Sequence, residues 1–163
     1  MSPLRAACQR ALTAALLAGL IGCATPPASA PQDNFWSGRL ALNIAAEPPQ
    51  AMSAAFELRG DARAGELALM SPLGQTVAVA RWSATGAELQ QGQHRAPYAS
   101  MDDLTEQLTG AALPLPALFQ WLRGHPAQAP GWSVDLGGHA DGRIMAQRQS
   151  PPPRAELRIR LQP

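Results

Sequence analysis

The chain has 163 residues, 46% of them hydrophobic, which suffices for one ordinary domain with a buried core or an apolar lining. Its 13 cations are all arginine and face 12 acids, a near balance without a basic run that gives no reason to expect nucleic acid as a partner. The absence of lysine rules out a P-loop lysine and a Schiff base.

Arg5 and Arg10 stand ahead of an apolar stretch from Ala11 to Gly22, closed by Leu20-Ile21-Gly22-Cys23. A basic start, an apolar middle and a small residue before the cut make an export signal. The stretch is too short to cross a bilayer, which takes roughly 20 apolar residues. A core helix is also disfavoured, because the Pro/Ala/Ser/Thr run from Ala24 to Pro31 is a tether with nothing to pack. Leu-Ile-Gly-Cys resembles the lipobox of bacterial lipoproteins, in which the cysteine is acylated and becomes the first residue. That resemblance implies a signal over residues 1–22, lipidation at Cys23, a tether over 23–35 and a domain over 36–163. Ala24, where an Asp would retain the protein in the inner membrane, implies sorting to the outer membrane. Cys8 leaves with the signal, so no thiol remains for a disulfide or a thiolate metal site.

From Trp36 onward the apolar period is two. Leu40, Leu42 and Ile44 share one face of the first strand, and Met52, Ala54, Phe56 and Leu58 share one face of the second, Ala51 to Arg59. Gly65 to Met70, Gln75 to Ser83 and Gly86 to Gln91 follow on tight links, which parallel crossovers cannot use, so the five strands form an antiparallel meander. Ser100 is a helix N-cap with Asp103 three residues on, and acids suit the positive helix end. That helix stops at Gly110. Pro116 fits the first turn of a second helix reaching Arg123, with Gly124 as its stop and Leu118, Trp121 and Leu122 on one stripe. Gly131 to Leu136, Arg143 to Gln149 and Ala155 to Leu161 return to the strand period, which makes eight strands in all.

Trp36-Ser37-Gly38-Arg39-Leu40-Ala41-Leu42 resembles the first strand of the outer-membrane lipoprotein receptor of the Lol pathway, the LolB family. Met70-Ser71-Pro72-Leu73-Gly74 is similar to that family's Pro-Leu-Gly hairpin. Leu108-Thr109-Gly110, Leu113-Pro114-Leu115-Pro116 and Leu118, Trp121, Gly124 follow its helical segment in order. The short Pro/Ala-rich stretch between Gly124 and Gly131 departs from relatives, which often carry another strand pair there.

The resemblance implies an α+β fold, mainly antiparallel, in which a half-open β-barrel is covered on one side by short helices. It further implies a monomer without cofactor or metal, facing the periplasm from the outer membrane. Such a protein takes acylated client lipoproteins from a soluble periplasmic carrier, LolA-like, and deposits them in outer-membrane lipid without a nucleotide. The chemistry is coherent. A triacylated client carries on the order of forty methylenes at about 0.8 kcal/mol each, so its chains must be shielded in water. The candidate acyl-chain wall is Leu40, Leu42, Ile44, Met52, Phe56, Leu58, Leu67 and Leu69 from the strands, with Leu104, Leu108, Leu118, Trp121 and Leu122 from the helices. Any half-buried sheet under helices shows this alternation, so pattern alone does not separate cavity wall from filled core. Leu73 differs: it occupies a turn tip, where Pro72 presets the turn and Gly74 relaxes the exit. By resemblance it is the protruding leucine that touches the membrane during insertion.

The rival is a structural or assembly lipoprotein of the outer membrane with no lipid cargo, which would have a filled core. An envelope hydrolase fits less well: His94, His125 and His139 fall in expected loops, and no Gly-x-Ser-x-Gly elbow occurs. The histidine spacing matches no metal motif, so they read as solvated loop residues. Asp102, Asp103 and Glu106 read as helix-start acids, not as a paired-carboxylate site.

Overall fold

The computed structural model describes residues 34–163. Cys23, the signal and the tether up to residue 33 lie outside the described residues, and Phe35 already opens the first strand. Nine antiparallel strands form one open sheet: β1 (Phe35–Ala45), β2 (Gln50–Gly60), β3 (Gly65–Met70), β4 (Thr76–Ser83), β5 (Gly86–Gln91), β6 (His94–Tyr98), β7 (Trp132–Asp135), β8 (Arg143–Arg148) and β9 (Arg154–Leu161). Their spatial order is β6-β5-β4-β3-β2-β1-β9-β8-β7. The fold is the α+β open half-barrel that the resemblance implies, built from the antiparallel strands that the periodicity predicts.

The connection between the edges explains the helices. The first meander ends at edge strand β6, and the last three strands start at the opposite edge, β7. The chain between them therefore crosses the sheet, and it does so as α1 (Met101–Thr109) and α2 (Leu115–Leu122). Ser100 Oγ accepts from the Asp103 N–H at 3.0 Å, and Gly110 closes α1 in the left-handed conformation that glycine adopts without strain. Pro116 occupies the first turn of α2, where a missing N–H costs nothing.

Strand β6 is not foreseen from periodicity, which leads to eight strands. Its Pro97 argues against a strand interior, yet β6 is an edge, the one place where a sheet tolerates proline. Gly92 (φ +59°) is the first of two loop residues between Gln91 and His94, the position at which a two-residue II′ hairpin asks for glycine. His94 is the first residue of that strand and His139 opens a 3-10 turn, His139–Asp141, so neither is a plain loop residue.

Inside the half-barrel the core is continuous, but its two ends differ. At the end where β1 begins, Trp36 stands opposite Leu58. Phe119 of α2 meets Trp36 edge-on at 5.5 Å and Trp82 at 6.3 Å. Phe119 and Trp121 are 2% and 1% exposed, the most deeply buried large side chains among the described residues. Trp82 lies over Gly65, where a Cβ would collide with the indole, and its Nε1–H donates to the Asp61 carbonyl at 2.9 Å. Trp121 donates to the Ala127 carbonyl at 2.9 Å and its ring tilts against Trp132. The indole N–H groups of Trp82 and Trp121 are thus satisfied, as burial requires.

Candidate functional site

Under α1, at the β1–β2 hairpin end, the half-barrel is hollow. A cavity of about 320 Å³ is walled by Leu40, Leu42 and Ile44 of β1, Met52 of β2, Leu67 and Leu69 of β3, and Leu104 and Leu108 of α1. Ala78 and Ala80 of β4 form part of its floor, where larger side chains would occupy the space. Helix α1 buries only Met101, Leu104 and Thr105 of its nine residues, which leaves Leu108 45% exposed. Met52, 38% exposed, and the exposed Gln50 and Gln91 complete the lip.

The wall's threonine hydroxyls are committed internally. Thr105 Oγ1 donates to the Met101 carbonyl at 3.0 Å and accepts from the Leu113 N–H at 3.0 Å. Thr109 Oγ1 donates to the Thr105 carbonyl at 2.6 Å and accepts from the Ala111 N–H. The hydroxyls thus stitch α1 to the following loop and leave the cavity an apolar face. Such a face suits hydrocarbon and offers nothing that orients a polar ligand.

Eight of the thirteen wall residues expected from the sequence line this cavity; the other five do not. Phe56 and Leu58 are buried at 3% exposure on β2, whose inward positions at that end lie beneath the aromatic cluster. Trp121 and Leu122 are buried in the core, and Leu118 packs against its edge. The reason is the character of α2. Leu115, Ala117, Phe119, Trp121 and Leu122 are all buried, so this helix is apolar nearly all round and fills its end of the barrel. Met101, Leu113, Ala78, Ala80, Leu89 and Leu157 are wall residues absent from the sequence-based set. The alternation of β4, β5 and β9 was available as a signal, and small residues on an inward face hint at space.

Leu73 lies at the tip of the β3–β4 hairpin and is 86% exposed. The Gly74 N–H donates to the Ser71 carbonyl at 2.9 Å, with Pro72 and Leu73 at the two central positions and Gly74 left-handed at φ +77°. This is a tight turn with proline where φ must be preset. Below it the ladder shifts between Leu69 and Met70: Leu69 faces Ala78, and Met70 faces Thr76. The extra residue, Val77, is 48% exposed, a second outward apolar side chain at the root of the turn that the sequence reading passes over.

The histidines do not converge. His94 and His125 are exposed, whereas the His139 ring pairs with the Leu122 carbonyl at 3.1 Å, at the C-terminal end of α2. Asp103 accepts from the Ala99 N–H and from Gln107, so it belongs to the start of α1.

Fold and hollow together define an open antiparallel half-barrel with an apolar recess beneath a lightly held helix. The family model described as outer membrane lipoprotein LolB matches residues 34–158. The outer-membrane lipoprotein LolB of Cupriavidus metallidurans is 32% identical over 120 residues, which cover 71% of this chain and 57% of that protein. The one from Bordetella petrii is 30% identical over 177 residues, 91% of this chain and 89% of that protein. That of Chromobacterium violaceum is 34% identical over 105 residues, 64% of this chain and 57% of that protein. The match thus spans little more than half the length of several of these relatives. The chain belongs to the LolB family, the outer-membrane lipoproteins of the Lol pathway. Its place is accordingly the outer membrane, as a lipid-anchored protein.

Proposed function

We propose that this protein receives acylated lipoproteins from a soluble periplasmic carrier and inserts them into the outer membrane, with Cys23 acylated as its own anchor and residues 1–22 removed. The observation that carries the reading is the hollow: a half-barrel with one end packed by aromatics and the other end open and mainly apolar, with no buried side-chain polar atom left unpaired among the described residues. A scaffold lipoprotein has no use for that space, since an unfilled core forfeits dispersion contacts along its lining. At about 320 Å³ the cavity sits at the small end of the range for ligand sites, about 300–1,000 Å³. A client's chains would therefore enter as α1 yields, and α1 is held by few buried side chains.

No step in this cycle needs a nucleotide or a chemical reaction. The client moves because the receptor's hydrocarbon face shields it, and it leaves because the bilayer shields it better. Leu73 has the exposure and the position to enter the membrane surface while the client is released. The protein acts as a non-enzymatic monomer, and its partners are the LolA-like carrier, the clients and outer-membrane lipid.

The test loads such a carrier with a triacylated lipoprotein, adds the mature chain with Cys23→Ala, and follows which protein the client co-purifies with. Movement of the client to the receptor supports the reading. A client that stays on the carrier at equimolar receptor sinks it and favours the scaffold alternative.

A further inference from the structure

The convex face of the sheet, opposite the hollow, is charged in two unlike halves. Over β2 to β6 its arginines face acids: Arg59 pairs with Glu57 at 3.1 Å, Arg81 with Glu66 at 2.7 Å and Arg95 with Glu88 at 3.6 Å. Along one row across β1, β9 and β8 arginine faces arginine. Arg39 stands directly opposite Arg160 in the β1–β9 ladder, and Arg160 stands directly opposite Arg143 in the β8–β9 ladder. Arg143 is paired with Asp141 at 2.7 Å, and the neighbouring Arg158 with Glu156 at 2.8 Å. Among the described residues neither Arg39 nor Arg160 has a carboxylate within salt-bridge distance. Like charges directly opposite one another on a sheet destabilise it. The four guanidinium groups border a shallow recess of about 490 Å³, with Gly137 and Gly138 among its other walls and one acid, Asp135, at its edge.

The register ties this row to the Leu73 turn. Met70, the last residue before the turn, faces Ala55; Ala55 faces Arg39; Arg39 faces Arg160. Directly opposed residues share a face, so the arginine row occupies the face and the level from which the exposed Leu73 hairpin departs. Guanidinium forks match phosphate oxygens in bidentate geometry. An exposed apolar tip beside a cation row is the composition of a membrane-surface contact, apolar side chain below the headgroups and guanidinium at them.

We propose that Arg39 and Arg160, with Arg143 beside them, lie against the phosphates of anionic phospholipid in the outer membrane and hold the Leu73 turn at the bilayer surface. The inference deepens the proposed insertion role and rests on Leu73 meeting the membrane.

Co-sedimentation of the mature Cys23→Ala chain with vesicles tests it, using phosphatidylcholine alone and phosphatidylcholine with phosphatidylglycerol. The unsubstituted chain prefers the anionic vesicles, and added salt removes the preference. Arg39→Gln with Arg160→Gln weakens binding to anionic vesicles about 25-fold, roughly fivefold per arginine, and leaves binding to neutral vesicles unchanged. Arg81→Gln with Arg95→Gln, on the paired half, changes neither. Equal binding of the Arg39/Arg160 variant and the unsubstituted chain to anionic vesicles overturns the inference. So does a variant that binds vesicles normally but no longer takes clients from the carrier, since the row would then contact an acidic protein. Leu73→Glu separates the two readings. Should it insert clients normally while the arginine effect persists, the turn's role falls and the arginine row stands.

Discussion

The two ends of the half-barrel start from the same sequence pattern and reach opposite outcomes. Trp36 and Leu58 at one end, and Leu40, Leu42 and Ile44 at the other, are all inward positions of strands with a period of two. What differs is the element laid over them. Helix α2 brings Phe119 and Trp121, two large rings that fill the space down to 1–2% exposure. Helix α1 brings Leu104 and Leu108 with acids and amides on its other face, too little volume to close the gap. A sheet face therefore announces that something apolar will cover it, while the bulk of the covering helix decides whether a core or a cavity results.

The sharpest way to break that contrast is to empty the filled end. Phe119→Ala removes a ring packed edge-on against Trp36 and tilted against Trp82, and should cost about 3–5 kcal/mol in a urea unfolding experiment. A cost under about 1 kcal/mol would mean that this end is loosely packed too. Next come additions of volume. Ala146→Leu at a 1% exposed core position should cost about 1–3 kcal/mol. The same change at Ala78, on the cavity floor, has room for its methyls. It should move stability by less than about 1 kcal/mol while abolishing client uptake. Equal penalties at the two positions would show that the hollow is not there in solution.

A smaller effect sharpens the role of α1. Ser100→Ala leaves the Asp103 N–H without its cap and should cost about 1 kcal/mol, loosening the helix over the cavity. Faster hydrogen exchange confined to α1 would bear this out; loss spread evenly over the sheet would not. Smallest in stability is Leu73→Glu, expected within about 0.5 kcal/mol of the unsubstituted chain because the side chain touches no core. Its release of clients into liposomes should nevertheless fail.

The sequence carried much of this architecture, and its silences have physical causes. The alternating strands, the Ser100 cap, the Pro116 start and the Gly110 and Gly124 stops are local features, and local features are legible. Strand β6 was hidden by Pro97, whose tolerance depends on lying at a sheet edge, a fact of topology. Phe119 lies outside the Leu118, Trp121, Leu122 stripe, so the helical pattern gives no sign that it is buried. The helix is buried nearly all round because Trp36, Trp82 and Trp132 pack against its Phe119 and Trp121 rings from different strands. Within the expected wall set, Leu42 and Leu58 have the same pattern and nearly the same burial, 4% and 3%, yet only Leu42 borders the hollow. The arginine row was equally invisible, since Arg39, Arg143 and Arg160 meet only through strand register.

The most direct test of the account is a titration of the mature Cys23→Ala chain with a fluorescent palmitoyl probe, run beside Ala78→Leu. Saturable binding to the unsubstituted chain is expected, weakening by about tenfold or more, some 1.4 kcal/mol, when Ala78→Leu fills the floor. Equal affinity in the two proteins, or no binding to either, would contradict the claim that the hollow end of the barrel takes the acyl chain.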